Sequence, residues 1–146
     1  MSLKSTLALA FAVMMIAAVG CGNNNVKVSG KITLEDGTPV VGANVFYISG
    51  ITQGRGTTNA EGVYSLSFEK TNDGIPPGTY QVLVTGAYFT PDKVVLRNEM
   101  DTGSRPMIDL IYAETETSPL TSEVPDPGGY DFVVETSEDY KRANLL

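Results

Sequence analysis

From residue 26 onward, apolar side chains recur at every second position. Val26, Val28, Ile32 and Leu34 alternate with Lys27, Ser29, Lys31 and Thr33. The same spacing returns as Tyr64, Leu66 and Phe68, then as Tyr80, Val82 and Val84, and finally as Tyr130, Phe132 and Val134. Successive side chains of an extended chain point to opposite faces, so this period gives strands with one dry face and one wet face. A second strand is predicted over 43–48, and 94–96 and 107–112 are weaker candidates. Turn chemistry separates the runs: Glu35-Asp36-Gly37-Thr38-Pro39, Asn59-Ala60-Glu61-Gly62, and a 71–78 stretch containing Asn72-Asp73-Gly74 and Pro76-Pro77-Gly78. Gly30 interrupts the first run and reads as a bulge. About seven short half-buried strands predict one all-β domain over 26–136, a single antiparallel β-sandwich. Two stacked sheets hide apolar faces that one strand pair leaves wet. The 113–129 stretch, rich in Thr, Ser, Pro and Glu, is predicted to be a long surface connection. Gln53-Gly54-Arg55-Gly56 is predicted to be a loop, and 137–146 a C-terminal tail with little order beyond one or two frayed helical turns.

Residues 1–20 carry a different signal. Lys4 precedes an apolar run over 7–19, the layout of a secretory signal peptide. The run is short for a membrane span, which needs about 20 apolar residues. It ends in Ala18-Val19-Gly20-Cys21, and Cys21 is the only cysteine in the chain. Small residues before a cysteine resemble the lipobox of bacterial lipoproteins, with Ala18 where that family prefers Leu. The resemblance implies acylation of Cys21, a cell-envelope location, and a protein held on a membrane by lipid. Gly22 after the cysteine, by that family's sorting habit, favours the outer membrane. Residues 21–25 are then a tether; the four residues after Cys21 reach at most about 14 Å when extended.

Composition narrows the chemistry. There is no histidine, so neither a Ser-His-Asp triad nor a histidine zinc site can be built. One cysteine excludes an internal disulfide and a cysteine-rich metal cluster. With 17 Asp+Glu against 10 Lys+Arg, the formal charge of −7 argues against a nucleic-acid partner. It also argues that lipid, rather than surface charge, supplies any membrane affinity.

Four stretches in order resemble carboxypeptidase regulatory-like domains. They are Val28-Ser29-Gly30-Lys31-Ile32-Thr33-Leu34; Asp36-Gly37-Thr38-Pro39-Val40-Val41-Gly42-Ala43-Asn44-Val45; Thr57-Thr58-Asn59-Ala60-Glu61-Gly62-Val63-Tyr64; and Gly74-Ile75-Pro76-Pro77-Gly78-Thr79-Tyr80-Gln81-Val82. Tyr112-Ala113-Glu114-Thr115-Glu116-Thr117-Ser118-Pro119-Leu120-Thr121, followed by Tyr130-Asp131-Phe132, is similar to the end of a narrower group of small planctomycete-type lipoproteins. The segment 88–107 does not align with that pattern. The resemblance implies a transthyretin-like (prealbumin-like) sandwich and no catalytic residues. The expected function is that of a lipid-anchored, non-enzymatic envelope module, a binding or spacer domain whose partner is an envelope protein or a glycan. The alternative is a carbohydrate- or calcium-binding accessory module serving a separate enzyme.

No cofactor or metal is assigned from the sequence. Glu114 with Glu116, and Asp131 with Glu135, are carboxylate pairs that could serve acid–base chemistry, but they read as solvated edges that discourage sheet pairing. Asn72, Asp73, Asp92, Asp101 and Asp109 are loop oxygen donors without the spacing of a calcium loop. A covalent Lys–Asp bridge from Lys27 or Lys31 to Asp131, as in related adhesin sandwiches, needs a buried lysine, and Lys31 falls on the polar face. The candidate binding surface joins Gln53, Arg55, Asn72, Asp73, Tyr88 and Phe89, chosen for turn chemistry and exposed aromatic rings.

Overall fold

A computed structural model describes residues 24–68, 73–92 and 96–144. Residues 1–20, expected from the sequence to be a signal peptide, and Cys21, Asn72 and Val94-Val95 lie outside the described residues. The elements in chain order are β1 (Ser29–Leu34), β2 (Asn44–Ser49), β3 (Thr52–Thr57), β4 (Val63–Ser65), β5 (Gly78–Thr85), β6 (Tyr88–Phe89), β7 (Arg105–Pro106), a 3-10 helix (Leu110–Ala113), β8 (Thr121–Val124), β9 (Phe132–Val134) and α1 (Glu138–Asn144). Among the described residues they form a three-stranded sheet, β4-β1-β9, a four-stranded sheet, β3-β2-β5-β8, and a ribbon of β6 with β7.

The alternating residues make the core as predicted. Val28, Ile32 and Leu34 from the first run, Val45 and Tyr47 from β2, and Tyr80, Val82 and Val84 from β5 are all buried. Tyr47 of the four-stranded sheet meets Tyr64 of the three-stranded sheet at 6.4 Å between ring centroids, and Tyr80 at 5.9 Å. The Tyr47–Tyr64 contact joins the two sheets and the Tyr47–Tyr80 contact lies within the four-stranded one; each tilted pair is worth about 0.5–1.5 kcal/mol beyond area burial. The buried hydroxyls are paired. The Tyr64 hydroxyl donates to the Tyr130 carbonyl at 2.6 Å, which commits its one proton. In the 2.9 Å bond between the Tyr47 and Tyr64 hydroxyls, Tyr47 is thus the donor. Burial pushes both phenols above their ordinary pKa.

The structure corrects five expectations. First, β1 and β9 run parallel, with Ile32 opposite Phe132 and Leu34 opposite Val134, so the body is not wholly antiparallel. Second, Gln53-Gly54-Arg55-Gly56 is not a loop. It lies within β3, paired with β2 from Asn44↔Thr57 to Ser49↔Thr52. The inward positions of β3 are glycines because the opposite layer comes too close for a side chain. A Cβ on Gly54 would stand 2.6 Å from Ile75 Cγ2, and one on Gly56 would stand 2.4 Å from the Ser65 carbonyl oxygen. Third, the 113–129 connection contains β8, which pairs with β5 from Gly78↔Val124 to Gln81↔Thr121. Fourth, Gly30 is no bulge: it keeps register with Tyr64. A Cβ there would fall 1.9 Å from the Tyr130 carbonyl oxygen, so Gly30 is the gap through which that backbone reaches the core. Fifth, 137–146 is not a loose tail over its described part. Ser137 caps α1 by accepting the Tyr140 amide at 3.1 Å, and Tyr140 stacks edge-on against Phe89 at 4.8 Å.

The strand registers define two ends. Val26 exchanges backbone hydrogen bonds with Ile75, close to where β5 begins. The 49–52 turn and the end of β8 share that end, because Ile48 lies opposite Gln81 and Val124 opposite Gly78. At the other end Asn44 lies between Thr57 and Thr85. The β6–β7 ribbon follows Thr85 there, and the Ile108↔Thr136 bridge brings in the 3-10 helix and α1. The eight residues of β5 separate the ends by roughly 24 Å.

Candidate functional site

The sequence candidates do not form one surface. Gln53 and Arg55 are exposed on β3. Arg55 already has two engagements. Its backbone exchanges hydrogen bonds with Ser67 at 3.0 and 2.9 Å, which ties β3 to the chain leaving β4, and its guanidinium lies 5.6 Å from the Phe46 ring centroid. Asp73 is exposed beside Gly74, near the end where the chain enters. Tyr88 and Phe89 belong to the opposite end and point different ways. Phe89 turns onto Tyr140, whereas Tyr88 stays 61 % exposed. The row holding Gln53 and the row holding Thr85 are four residues apart along β5, about 13 Å.

The loop carboxylates mostly hold backbone. Asp36 accepts the Thr38 amide at 2.9 Å, Asp126 accepts Gly128 at 2.7 Å, and Asp131 accepts the Lys31 amide at 2.7 Å. Asp131 is thereby engaged with the main chain of β1. Asp101 is the most heavily used. Arg105 grips it with Nη1 and Nη2 at 2.8 and 2.9 Å, and the amides of Arg97 and Gly103 donate to it at 2.9 Å each. The Arg105 guanidinium, with those amides, holds its carboxyl well below the usual carboxylate range. Among the described residues no three His, Cys, Asp or Glu side chains converge as a metal site. The Glu114 and Glu116 side chains are exposed, while the Glu114 carbonyl accepts the Ser118 amide.

A groove at the far end is what the sequence reading missed. A narrow slot of about 50 Å³ runs beside Ala87 and Tyr88, and a broader depression of about 250 Å³ lies beside Ser137 and Glu138. Both are lined by Pro106, Asp109 and Leu110, so they lie side by side and together form a grooved surface. Each part of it has a local cause. Asp109 caps the 3-10 helix by accepting the Ile111 amide at 3.0 Å, which turns Leu110 outward, 64 % exposed. The Ser137 hydroxyl donates to the Pro106 carbonyl and fixes α1 against β7. Arg97 reaches Asp139 at 3.7 Å and ties the 97–105 loop to α1. Below the groove the Tyr112 hydroxyl accepts the Glu135 amide at 3.0 Å, and burial raises its pKa. The sequence signal for this end was the pair of helix starts, Asp109 and Ser137, each placed just before a turn that its side chain caps.

No helix among the described residues is long and apolar enough to cross a membrane. Compared with models of known families, with curated proteins and with solved structures, the chain matches none.

Proposed function

We propose that this chain is a lipid-anchored, non-catalytic cell-envelope module. On this reading Cys21 carries the lipid, the body is a transthyretin-like sandwich of the regulatory-like type, and the protein holds or spaces an envelope partner. The observation that carries the reading is the polarity of the body. The described chain enters at one end, at Asn24 and Val26, three to five residues after Cys21. Of the exposed apolar side chains, Tyr88, Leu96, Met100, Leu110 and Ile111 belong to the segment that follows β5 at the opposite end, whereas Val41, Val63 and Val133 lie elsewhere on the body and Ile51 lies in the turn at the entry end. A short tether on one end and an apolar surface on the other suit a protein that stands on a bilayer and presents its far end. The mostly antiparallel β body and the use of loop carboxylates as turn caps support a binding module over an enzyme.

The test is fractionation of the native chain beside Cys21→Ser. The native protein should sediment with membranes and show an intact mass raised by acyl groups. The variant should appear in the soluble periplasmic fraction. A variant that remains with the membranes, or a native chain with an unmodified thiol, overturns the anchoring.

A further inference from the structure

We infer that the far-end groove binds an extended peptide segment in which arginine or lysine alternates with aliphatic residues. This deepens the proposed reading by naming the class of partner that the far end takes. The groove floor is apolar. Tyr88 and Leu110 are each more than half exposed, with Pro106 between them. Its rim is acidic: Asp109 on one side, and Glu138 and Asp139 at the start of α1 on the other. Three rim carboxylates face two basic partners, Arg97 and Lys141, while Arg105 is held by Asp101, so the rim keeps an excess of negative charge.

The acidic rim can exchange partners at little cost. Glu138 meets Lys141 at 3.1 Å and Asp139 meets Arg97 at 3.7 Å, and in each pair one partner, Glu138 or Arg97, is more than two-thirds exposed. Exposed pairs of this kind are worth about 0–1 kcal/mol. An incoming guanidinium, planar and forked, gains carboxylate hydrogen bonds that a surface lysine holds only loosely. Its methylene stem can lie along Leu110 and Pro106 while its head reaches Glu138 and Asp139. The neighbouring slot beside Tyr88 is too small for a large ring and fits a short aliphatic group. Alternation of cationic and aliphatic side chains therefore matches the succession of depression and slot. An anionic or purely polar segment would meet like charge at the rim or leave the floor wet.

The test is fluorescence anisotropy with the full chain in neutral detergent. The probes are labelled octapeptides of alternating Arg-Leu, Arg-Ser and Glu-Leu. Arg-Leu should bind, and binding should weaken as salt rises to about 0.5 M. Leu110→Ser and Asp109→Asn should each weaken it about tenfold. Leu110 is exposed and Asn also caps helices, so the urea midpoints of both variants should stay close to that of the native chain. Arg-Ser or Glu-Leu binding as tightly as Arg-Leu overturns the inference, and so does a groove variant that binds undiminished. The Cys21→Ser chain should bind the peptide as the native chain does, so a failure of anchoring and a failure of the groove are read separately.

Discussion

Tyr64 shows how much one side chain can carry in this core. Its ring fills the space between the sheets, and its hydroxyl stands between the Tyr47 hydroxyl and the Tyr130 carbonyl. Tyr64→Phe keeps the ring and removes the link, leaving a buried donor and a buried acceptor unpaired. Stability should fall by about 1–3 kcal/mol in urea unfolding; an unchanged midpoint would mean that water or a shifted backbone replaces the link. The same carbonyl explains Gly30. Its space is taken by main chain, which cannot swing away as a side-chain tip can. Gly30→Ala should therefore cost about 3 kcal/mol or more. Gly50, at φ 57° with nothing near its missing Cβ, offers the contrast. Gly50→Ala carries only the left-handed backbone penalty, about 1–2 kcal/mol. Thermal melts that ranked the two the other way would show that the close approach at Gly30 relaxes readily.

At the level of elements, what the sequence revealed depended on whether the inward positions were apolar. β1, β4 and β5 place Val, Ile, Leu or Tyr inward, so the period is visible. β3 places Gly54 and Gly56 inward, because Ile75 and the Ser65 carbonyl occupy the space beyond, and a strand without side chains on its buried face looks like a loop. β8 alternates too, but Ser122 stands where an aliphatic residue would have shown the pattern. The helix α1 left a legible trace in Ser137, the acidic pair Glu138-Asp139 and the basic pair Lys141-Arg142, ordered as the helix dipole favours. Of the candidate site, Tyr88 was legible as an exposed ring. The groove was not, because Pro106, Asp109 and Ser137 meet only in the folded chain, through the Ile108↔Thr136 bridge and the Ser137–Pro106 hydrogen bond across 31 residues of sequence. The 97–105 loop has its own electrostatic signature. The folded pKa of Asp101 is lowered by Arg105, below the value of about 3.9 expected in the unfolded chain. Protonation thus costs the folded state more than the unfolded one. The contribution is complete above about pH 4 and is lost as pH falls further. Asp36, lowered by the Thr38 amide, acts in the same direction. Asp101→Asn should be less stable than the native chain at neutral pH, and the gap should narrow steadily as pH falls below about 4. A gap at about pH 2 as wide as at neutral pH would show that the loop is held by shape rather than charge.

For the whole molecule, the deciding contacts join residues far apart in the chain. β9 closes the three-stranded sheet beside β1, and the Asp131 carboxylate takes the Lys31 amide across 100 residues of sequence. Until that segment arrives, one side of β1 is open, the Tyr64 hydroxyl has no carbonyl to receive its proton, and the far-end elements have no β9 extension to lie on. Such pairings meet their loop-closure entropy before they yield stability, so folding should be slow for the chain's size. Ending the chain after Pro125 removes β9, the Tyr130 carbonyl and Asp131 together. That truncation should lose its cooperative urea transition and expose apolar surface to a hydrophobic dye. Ending it after Ser137 removes α1 alone and keeps the closure, so a cooperative transition should persist at a lower midpoint, with Phe89 uncovered. If the shorter chain also unfolded cooperatively, β1 and β4 would suffice to cover the four-stranded sheet. β9 would then belong to the presentation of the far end rather than to the core.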